Sequence, residues 1–281
     1  MLLFLFTLLT IIAFQLIQLL YVVSSAVAGT LLGAKVEHCR VGMGPTLLRF
    51  QINDCEWSLG LLPTGASTKF ANEEELLDET MFLTEDSPVK PFQALPWYSQ
   101  ALMILSGPCS SILAGLLLLW SATLFDGSHV VIAPVDGNFV TPSAVPNLGW
   151  EKSKADWQSN SELLQQTFVT FFIRVVTFQS LDGWGGFFGA MITCAAMLMD
   201  SPSGWFSCFG VICLGTGLLN LLPLPVLNGG YLLFLFLKLI TRSELETFIE
   251  RANNIGIVFI LLVCARLIYA DALWVYAQLF Q

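Results

Sequence analysis

The residues with the clearest capacity for chemistry lie at positions 220–230, where the sequence reads Asn-Leu-Leu-Pro-Leu-Pro-Val-Leu-Asn-Gly-Gly. Two prolines, two glycines and two asparagines interrupt an apolar segment long enough to enter a membrane. Lipid offers the backbone no hydrogen-bonding partner, so a broken helix at membrane depth is tolerated only against protein or a water-filled cavity. The segment therefore predicts a polar site inside the membrane, with Asn220 and Asn228 as candidate polar side chains.

The composition places the chain in lipid. Of its 281 residues, 55% are hydrophobic and 12% are charged, and the mean hydropathy is +0.72. Soluble domains are about half apolar and about a quarter charged. The formal net charge is −9, and many of the acids fall in residues 73–86, which argues against a nucleic-acid partner. We predict an integral membrane protein that is embedded in the lipid bilayer.

Apolar runs and polar segments alternate along the chain in a pattern that predicts about four membrane spans, and up to six. Residues 34–70 instead alternate apolar and polar side chains with Gly and Pro at intervals, which is typical of short strands and turns. Two shorter apolar pieces before residue 203 could be interfacial or re-entrant. The predicted segments are a first transmembrane helix at 1–32, a β-loop at 33–72, an acidic cytoplasmic loop at 73–97, a second transmembrane helix at 98–125, an extramembrane insert at 126–166, interfacial or re-entrant segments at 167–203, a broken third transmembrane helix at 204–241, a cytoplasmic loop at 242–253 and a last transmembrane helix at 254–281.

Basic residues predict the orientation, because Lys and Arg are retained on the cytoplasmic side. The loop between the first two spans holds five of them, whereas the insert holds only Lys152 and Lys154. This distribution places both termini and the insert outside the cytoplasm. We expect a multi-pass protein of a plasma or bacterial inner membrane.

The seven cysteines show no metal-ligand spacing such as CxxC. Four of them lie inside apolar runs and are predicted to be buried free thiols: Cys109, Cys194, Cys213 and Cys264. Cys39 and Cys55 could pair across a hairpin, although their loop is predicted to be cytoplasmic, where disulfides are rare.

The segment at 220–230 resembles the signature of the site-2 protease family of intramembrane zinc metalloproteases, Asn-x-x-Pro-x-Pro-x-Leu-Asp-Gly. The matching positions here are Asn220, Pro223, Pro225 and Gly229, followed by Gly230. The difference is at the metal ligand, where Asn228 replaces Asp.

Other segments resemble the family in the same order along about residues 2–273. Residues 33–45 are similar to the strand that enters the family's membrane-associated β-loop, and 62–70 to its Pro-x-Gly-Gly-Tyr-Val-Lys segment. Gly107, Pro108 and Ser111 match the Ala-Gly-Pro-x-x-Asn opening of the second helix, with Ser111 in place of Asn. The resemblance implies an all-α polytopic membrane protein with a small membrane-associated β-loop. The family usually carries a PDZ domain between its middle helices, and the insert at 126–166 is too short for one.

The zinc site that the resemblance implies has no ligands in this sequence. The family binds zinc through an HExxH motif on the first helix together with the signature aspartate. This chain has only two histidines, His38 and His129, and neither lies in a predicted span. The family's usual spacing, counted back from Gly33 with an uncertainty of about one turn, puts Tyr21 and Ser25 at the histidine positions and Val22 at the glutamate. We therefore expect no zinc cofactor.

These observations predict a catalytically inactive relative of the site-2 proteases, which acts as a scaffold, as a subunit of an envelope complex or as the binder of a transmembrane client. The alternative is an intramembrane metalloprotease with an atypical set of metal ligands. A third possibility is a small transporter that uses the broken helix as a binding site. The polar side chains near the break could also simply hydrogen-bond neighbouring helices.

Overall fold

The computed structural model describes residues 2–52, 55–71, 90–126, 134–135, 138–139, 187–200, 202–241 and 246–280. The acidic run at 73–86, nearly all of the insert and the first part of the predicted interfacial segments lie outside the described residues. The helices are α1 (Leu2–Leu31), α2 (Trp97–Asp126), α3 (Phe187–Asp200), α4 (Pro202–Asn220), α5 (Asn228–Thr241) and α6 (Glu246–Phe280), with a short 3-10 turn at Phe92–Ala94. The strands are β1 (Val36–Ile52), β2 (Cys55–Phe70), β3 (Pro134–Val135) and β4 (Asn138–Phe139).

Four helices in the described part of the chain are long and apolar enough to cross a membrane. They fall within α1, α2, α4 and α6, and α5 is a shorter apolar helix. The predicted third span thus consists of α4 and α5 with the Pro-rich break between them. The prediction of a helical, polytopic membrane protein with about four spans and a small β-loop is confirmed.

The chain divides into two compact units. One, which we call the β-loop unit, contains residues 11–114 and 216–256. The other, which we call the terminal unit, contains residues 1–10, 115–215 and 257–281.

In the β-loop unit, α1 buries one face. Phe14, Gln18, Tyr21 and Ser25 are all less than a tenth exposed, and their spacing of four, three and four residues keeps them on one side of a helix. Tyr21 and its neighbour Val22 pack with three residues of the two long strands: Cys39, Val41 and Cys55. The core of the β-loop is therefore anchored on the middle of α1.

The β-loop is a small sheet built by β1 and β2, which are long and bent. Cys39 is paired with both Thr68 and Trp57, because β2 lies against the first half of β1 along two stretches. Gly42 and Gly44 have positive φ angles of 83° and 81°, which glycine adopts without a steric penalty and which allow β1 to bend. Several large apolar side chains of the sheet are about half exposed and suit contact with lipid: Met43, Leu47, Leu48, Phe50, Ile52 and Leu61.

Glycines set the close approach of α2 and α4 within the terminal unit. A Cβ on Gly115 would lie 2.8 Å from the carbonyl oxygen of Gly210 and 2.7 Å from the backbone nitrogen of Leu214. A Cβ on Gly210 would likewise lie 3.0 Å from the carbonyl oxygen of Gly115. Without an aqueous driving force, membrane helices associate through such small-residue contacts.

The structure also corrects the prediction for three of the four cysteines that were expected to be buried free thiols. Cys194 on α3 and Cys208 on α4 form a disulfide, so Cys194 is not a free thiol. Helix packing brings these residues together, and neither residue lies in a recognisable cysteine motif. Cys213 is a buried free thiol as predicted, whereas Cys109 and Cys264 are free but exposed.

We expect Gly115→Val to destabilise the protein by about 1–3 kcal/mol, the usual cost of overpacking a tight contact. The neighbouring atoms are backbone atoms of α4 and cannot rotate away. Thermal unfolding in detergent measures the effect. Cys109→Val on the exposed face of α2 is the matched control, and equal unfolding temperatures for the two variants would contradict this description of the contact.

Candidate functional site

The candidate site is centred on the backbone break between α4 and α5. Leu221 and Leu222 follow α4, and their N–H groups donate to carbonyls three residues back, at 3.1 Å each. Pro223 and Pro225 have no N–H and cannot continue the helix. Asn220, the first residue of the signature, donates its side-chain amide to the carbonyl of Thr216 at 3.0 Å, within its own helix. The break is therefore produced locally by the two prolines.

One residue of the break has a strained backbone. Val226 has a φ angle of 76°, a conformation that is a genuine outlier for a β-branched residue and costs about 1–3 kcal/mol. Its N–H donates to the side-chain Oδ1 of Asn253 on α6 at 3.3 Å. A Cβ on Gly256, one turn further along α6, would lie 2.7 Å from the Cβ of Pro225. The first turns of α6 therefore support the break.

The two glycines that follow Asn228 are required by the turn of the chain. A Cβ on Gly229 would collide with the carbonyl oxygens of Leu221 and Leu222, and one on Gly230 with the carbonyl oxygen of Leu224. Both glycines are buried in the first turn of α5. Their role in this chain is to let α5 start directly against the break.

Asn228 lies between α1 and α2 and hydrogen-bonds to both. The phenol of Tyr21 donates to Oδ1 of Asn228 at 3.0 Å, and Nδ2 of Asn228 donates to the carbonyl oxygen of Ile104. Ile104 precedes Pro108 by four residues, and Pro108 lies inside α2. Because proline has no N–H, it cannot make the helical hydrogen bond to Ile104. The Asn228 amide supplies a donor to that carbonyl instead.

Hydroxyl groups continue this polar contact between α1 and α2. Ser24 Oγ lies 3.2 Å from the carbonyl oxygen of Ser106 and 3.0 Å from Oγ of Ser110. The hydroxyl of Ser106 donates to Oγ of Ser25 at 3.4 Å. Gly107 lies directly beneath the Tyr21 ring, since a Cβ there would approach the ring carbon Cζ to 2.5 Å. Ser111 is 3% exposed.

The four positions that the family resemblance assigns to the metal site, three from the spacing and Asn228 from the signature, lie in two environments. Tyr21 and Asn228 bond to each other, and Ser25 joins the hydroxyl contacts one turn along α1. Val22 is fully buried in the apolar core of the β-loop, where its carbonyl faces the hydroxyl of Thr68 at 3.5 Å. Val22 therefore presents no polar atom of its side chain to the break.

Sequence reasoning missed two residues that complete the site, Ile104 and Asn253. The position of Ile104 four residues before Pro108 was an available signal, because a proline in a helix leaves that carbonyl without its usual donor. Asn253 carried no comparable signal, since an asparagine near the start of a helix has many ordinary uses. Its function depends on where α6 packs.

The chemical groups at the site are a phenol, a primary amide, hydroxyls and backbone carbonyls. Within the part of the chain that the structure describes, no group of three or more His, Cys, Asp or Glu side chains is placed to hold a metal ion. The arrangement can donate and accept hydrogen bonds, and its asparagines bond to Tyr21 and to backbone groups.

Two segments of the chain are similar in sequence to known proteins. A segment of 62 residues is 36% identical to a protein of Thermotoga maritima, and covers 22% of this chain and 12% of that protein. A segment of 78 residues is 30% identical to a protein of Clostridium perfringens, and covers 28% of this chain and 23% of that protein. Both relatives are named "Putative zinc metalloprotease", and the matches thus span less than a quarter of the length of either.

The family comparison extends much further along the chain. The sequence pattern of peptidase family M50, the site-2 protease family, matches residues 25–263. That range includes α2, the break between α4 and α5, and the part of α6 that supports it. The chain therefore belongs to peptidase family M50.

Proposed function

We propose that the chain is a catalytically inactive member of the M50 family that binds a transmembrane client or partner protein, as a scaffold or as a subunit of an envelope complex. The observation that carries the proposal is the hydrogen-bonded chain of Tyr21, Asn228 and the Ile104 carbonyl. It occupies the positions where the family resemblance expects two metal ligands. In this proposal the chain keeps the family's fold, and Tyr21 and Asn228 hold α1, α2 and α5 together.

The residues present do not fit the zinc ion that the family uses. Catalytic zinc takes three protein ligands from His and carboxylate side chains and keeps one position for water. Here the corresponding side chains are Tyr21, Ser25 and Asn228, and neutral hydroxyl and amide groups are poor ligands for zinc. Val22 cannot accept a proton, so the general base is also missing. We infer that the chain does not hydrolyse peptide bonds by the family's mechanism.

The contacts of Asn228 require a side chain that both donates and accepts hydrogen bonds, as an amide does. Its Oδ1 accepts from Tyr21 while its Nδ2 donates to Ile104. An ionised aspartate has acceptors only and would place a negative oxygen against the Ile104 carbonyl. The residue that the family uses to bind zinc is thus unsuited to the contact made here.

The β-loop keeps a feature that suits client binding. Residues 46–52 of β1 pair with a single stretch of β2, as in the pairs Leu48 with Leu59 and Phe50 with Trp57. Among the described residues, no strand pairs with their other backbone edge, and the addition of a strand to such an edge is a common way of binding an extended segment. Leu48 and Phe50 are 60% and 51% exposed. We infer that this edge accepts an apolar, extended segment of a membrane protein.

Metal analysis of the purified protein tests the inactivity. We expect clearly less than one zinc per chain, because no His or carboxylate is available at the four family positions. The matched control restores those groups with Tyr21→His, Val22→Glu, Ser25→His and Asn228→Asp. Stoichiometric zinc in the natural protein that disappears in Asn228→Ala would overturn the proposal, and cleavage of a membrane substrate that stops with a zinc chelator would establish the metalloprotease alternative.

Asn228→Asp alone tests the structural role of the amide. We expect a loss of about 1–3 kcal/mol of stability at neutral pH, because the Ile104 carbonyl loses its donor. Thermal unfolding in detergent is the measurement. Asn254→Asp, on an exposed position of α6, is the matched control and should change little. Equal stability of the two variants would show that the Asn228 contact contributes nothing.

Site-specific photo-cross-linking in the native membrane tests client binding. A cross-linker at Leu48 should capture a defined membrane protein, whereas one at Leu113, equally exposed on α2 at 59%, should react mainly with lipid. A stoichiometric partner would indicate a scaffold, and a set of single-span proteins would indicate client binding. The same cross-linked species from both positions would argue against a binding edge in the β-loop.

A further inference from the structure

Two free thiols face each other in the core of the β-loop. Sγ of Cys55, at the start of β2, lies 3.5 Å from Sγ of Cys39 on β1, and the Cys55 thiol donates to the Cys39 sulfur. Both thiols are unoxidised in the structure. Neither thiol takes part in the hydrogen bonds around Asn228. The pair is therefore separate from the positions that the family uses to bind zinc.

Burial keeps both thiols protonated, and the two cysteines differ in their exposure to solvent. Burial is the largest cause that raises the pKa of the Cys39 thiol, and burial likewise raises the pKa of the Cys55 thiol. Cys39 is 0% exposed, whereas Cys55 retains 7% of its surface. Cys55 is consequently the thiol that a reagent in solution would reach first, and Cys39 is shielded from solvent.

We propose that Cys39 and Cys55 are a thiol-disulfide modification site, in which the pair is oxidised to an intramolecular disulfide by exchange with a small-molecule disulfide such as oxidised glutathione. Cys55 loses its proton and attacks one sulfur of the reagent, which forms a mixed disulfide and releases one thiol. Cys39 then loses its proton and attacks the Cys55 sulfur, which releases the second thiol. Two protein thiols are oxidised and one reagent disulfide is reduced to two thiols.

The geometry permits this closure without refolding of the sheet. A disulfide requires about 2.05 Å between the sulfurs, so the observed separation of 3.5 Å is reduced largely by rotation of the two side chains. The cysteines lie on strands that are already paired. The new bond would cross-link β1 to β2 where the β-loop packs against Tyr21 and Val22 of α1.

Thiol mapping of the full-length protein in lipid nanodiscs tests the site. After incubation with oxidised glutathione and alkylation of the remaining thiols, mass spectrometry should find a peptide cross-linked through Cys39 and Cys55. A soluble cysteine-containing peptide added to the same sample is the internal control for reagent activity, because Cys109 lies in the membrane-spanning part of α2, where a polar disulfide does not reach it. The cross-link should disappear on treatment with dithiothreitol.

Two variants separate the two steps. Cys39→Ser should trap glutathione on Cys55, because the resolving thiol is absent, whereas Cys55→Ser should leave Cys39 unmodified because it is fully buried. The proposal is overturned if the natural protein accumulates a stable glutathione adduct on Cys55 with no cross-link. It is equally overturned if both thiols stay free after the added peptide has reacted completely. Both of these results come from the natural protein and do not depend on the folding of a variant.

Discussion

The hydrogen bond from the Asn228 amide to the Ile104 carbonyl is the interaction on which the centre of the β-loop unit depends. Its origin is Pro108, which interrupts the hydrogen-bond ladder of α2 inside an apolar environment. A carbonyl without a donor is costly in lipid, where water cannot replace the missing partner. Asn228 serves this carbonyl and also receives the Tyr21 phenol, and so one amide ties α1, α2 and α5 together.

The residues around Asn228 fall into two groups, those that the shape of the break requires and those at the other positions that the family resemblance assigns to the metal site. The glycines at 229 and 230 and the prolines at 223 and 225 are needed for the shape of the break, whatever residue occupies position 228. Their role follows from the backbone geometry alone. Tyr21 and Ser25 hydrogen-bond between helices, and Val22 packs in the core of the β-loop.

Much of the fold could be predicted from the sequence, because its determinants are local. The long apolar runs gave α1, α2 and α6, and the alternating segment with glycines gave β1 and β2. The family spacing put Tyr21 at a histidine position of the metal site, and the structure joins it to Asn228. The pairing of Cys194 with Cys208 and the support of Val226 by Asn253 could not be predicted, since both depend on how separate helices pack. Val22 shows the same limit: its position in the helix was predictable, but its burial under the β-loop was not.

The strained backbone of Val226 stores energy in the break between α4 and α5. Its unfavourable φ angle stores about 1–3 kcal/mol, and its N–H is held by Asn253 in the first turns of α6. A mismatch between helix length and bilayer thickness costs fractions of a kcal/mol per Å, which becomes comparable over a few Å. A mismatch of a few Å along α6 is therefore of the same order of energy as the strain at Val226, whose N–H is bonded to that helix.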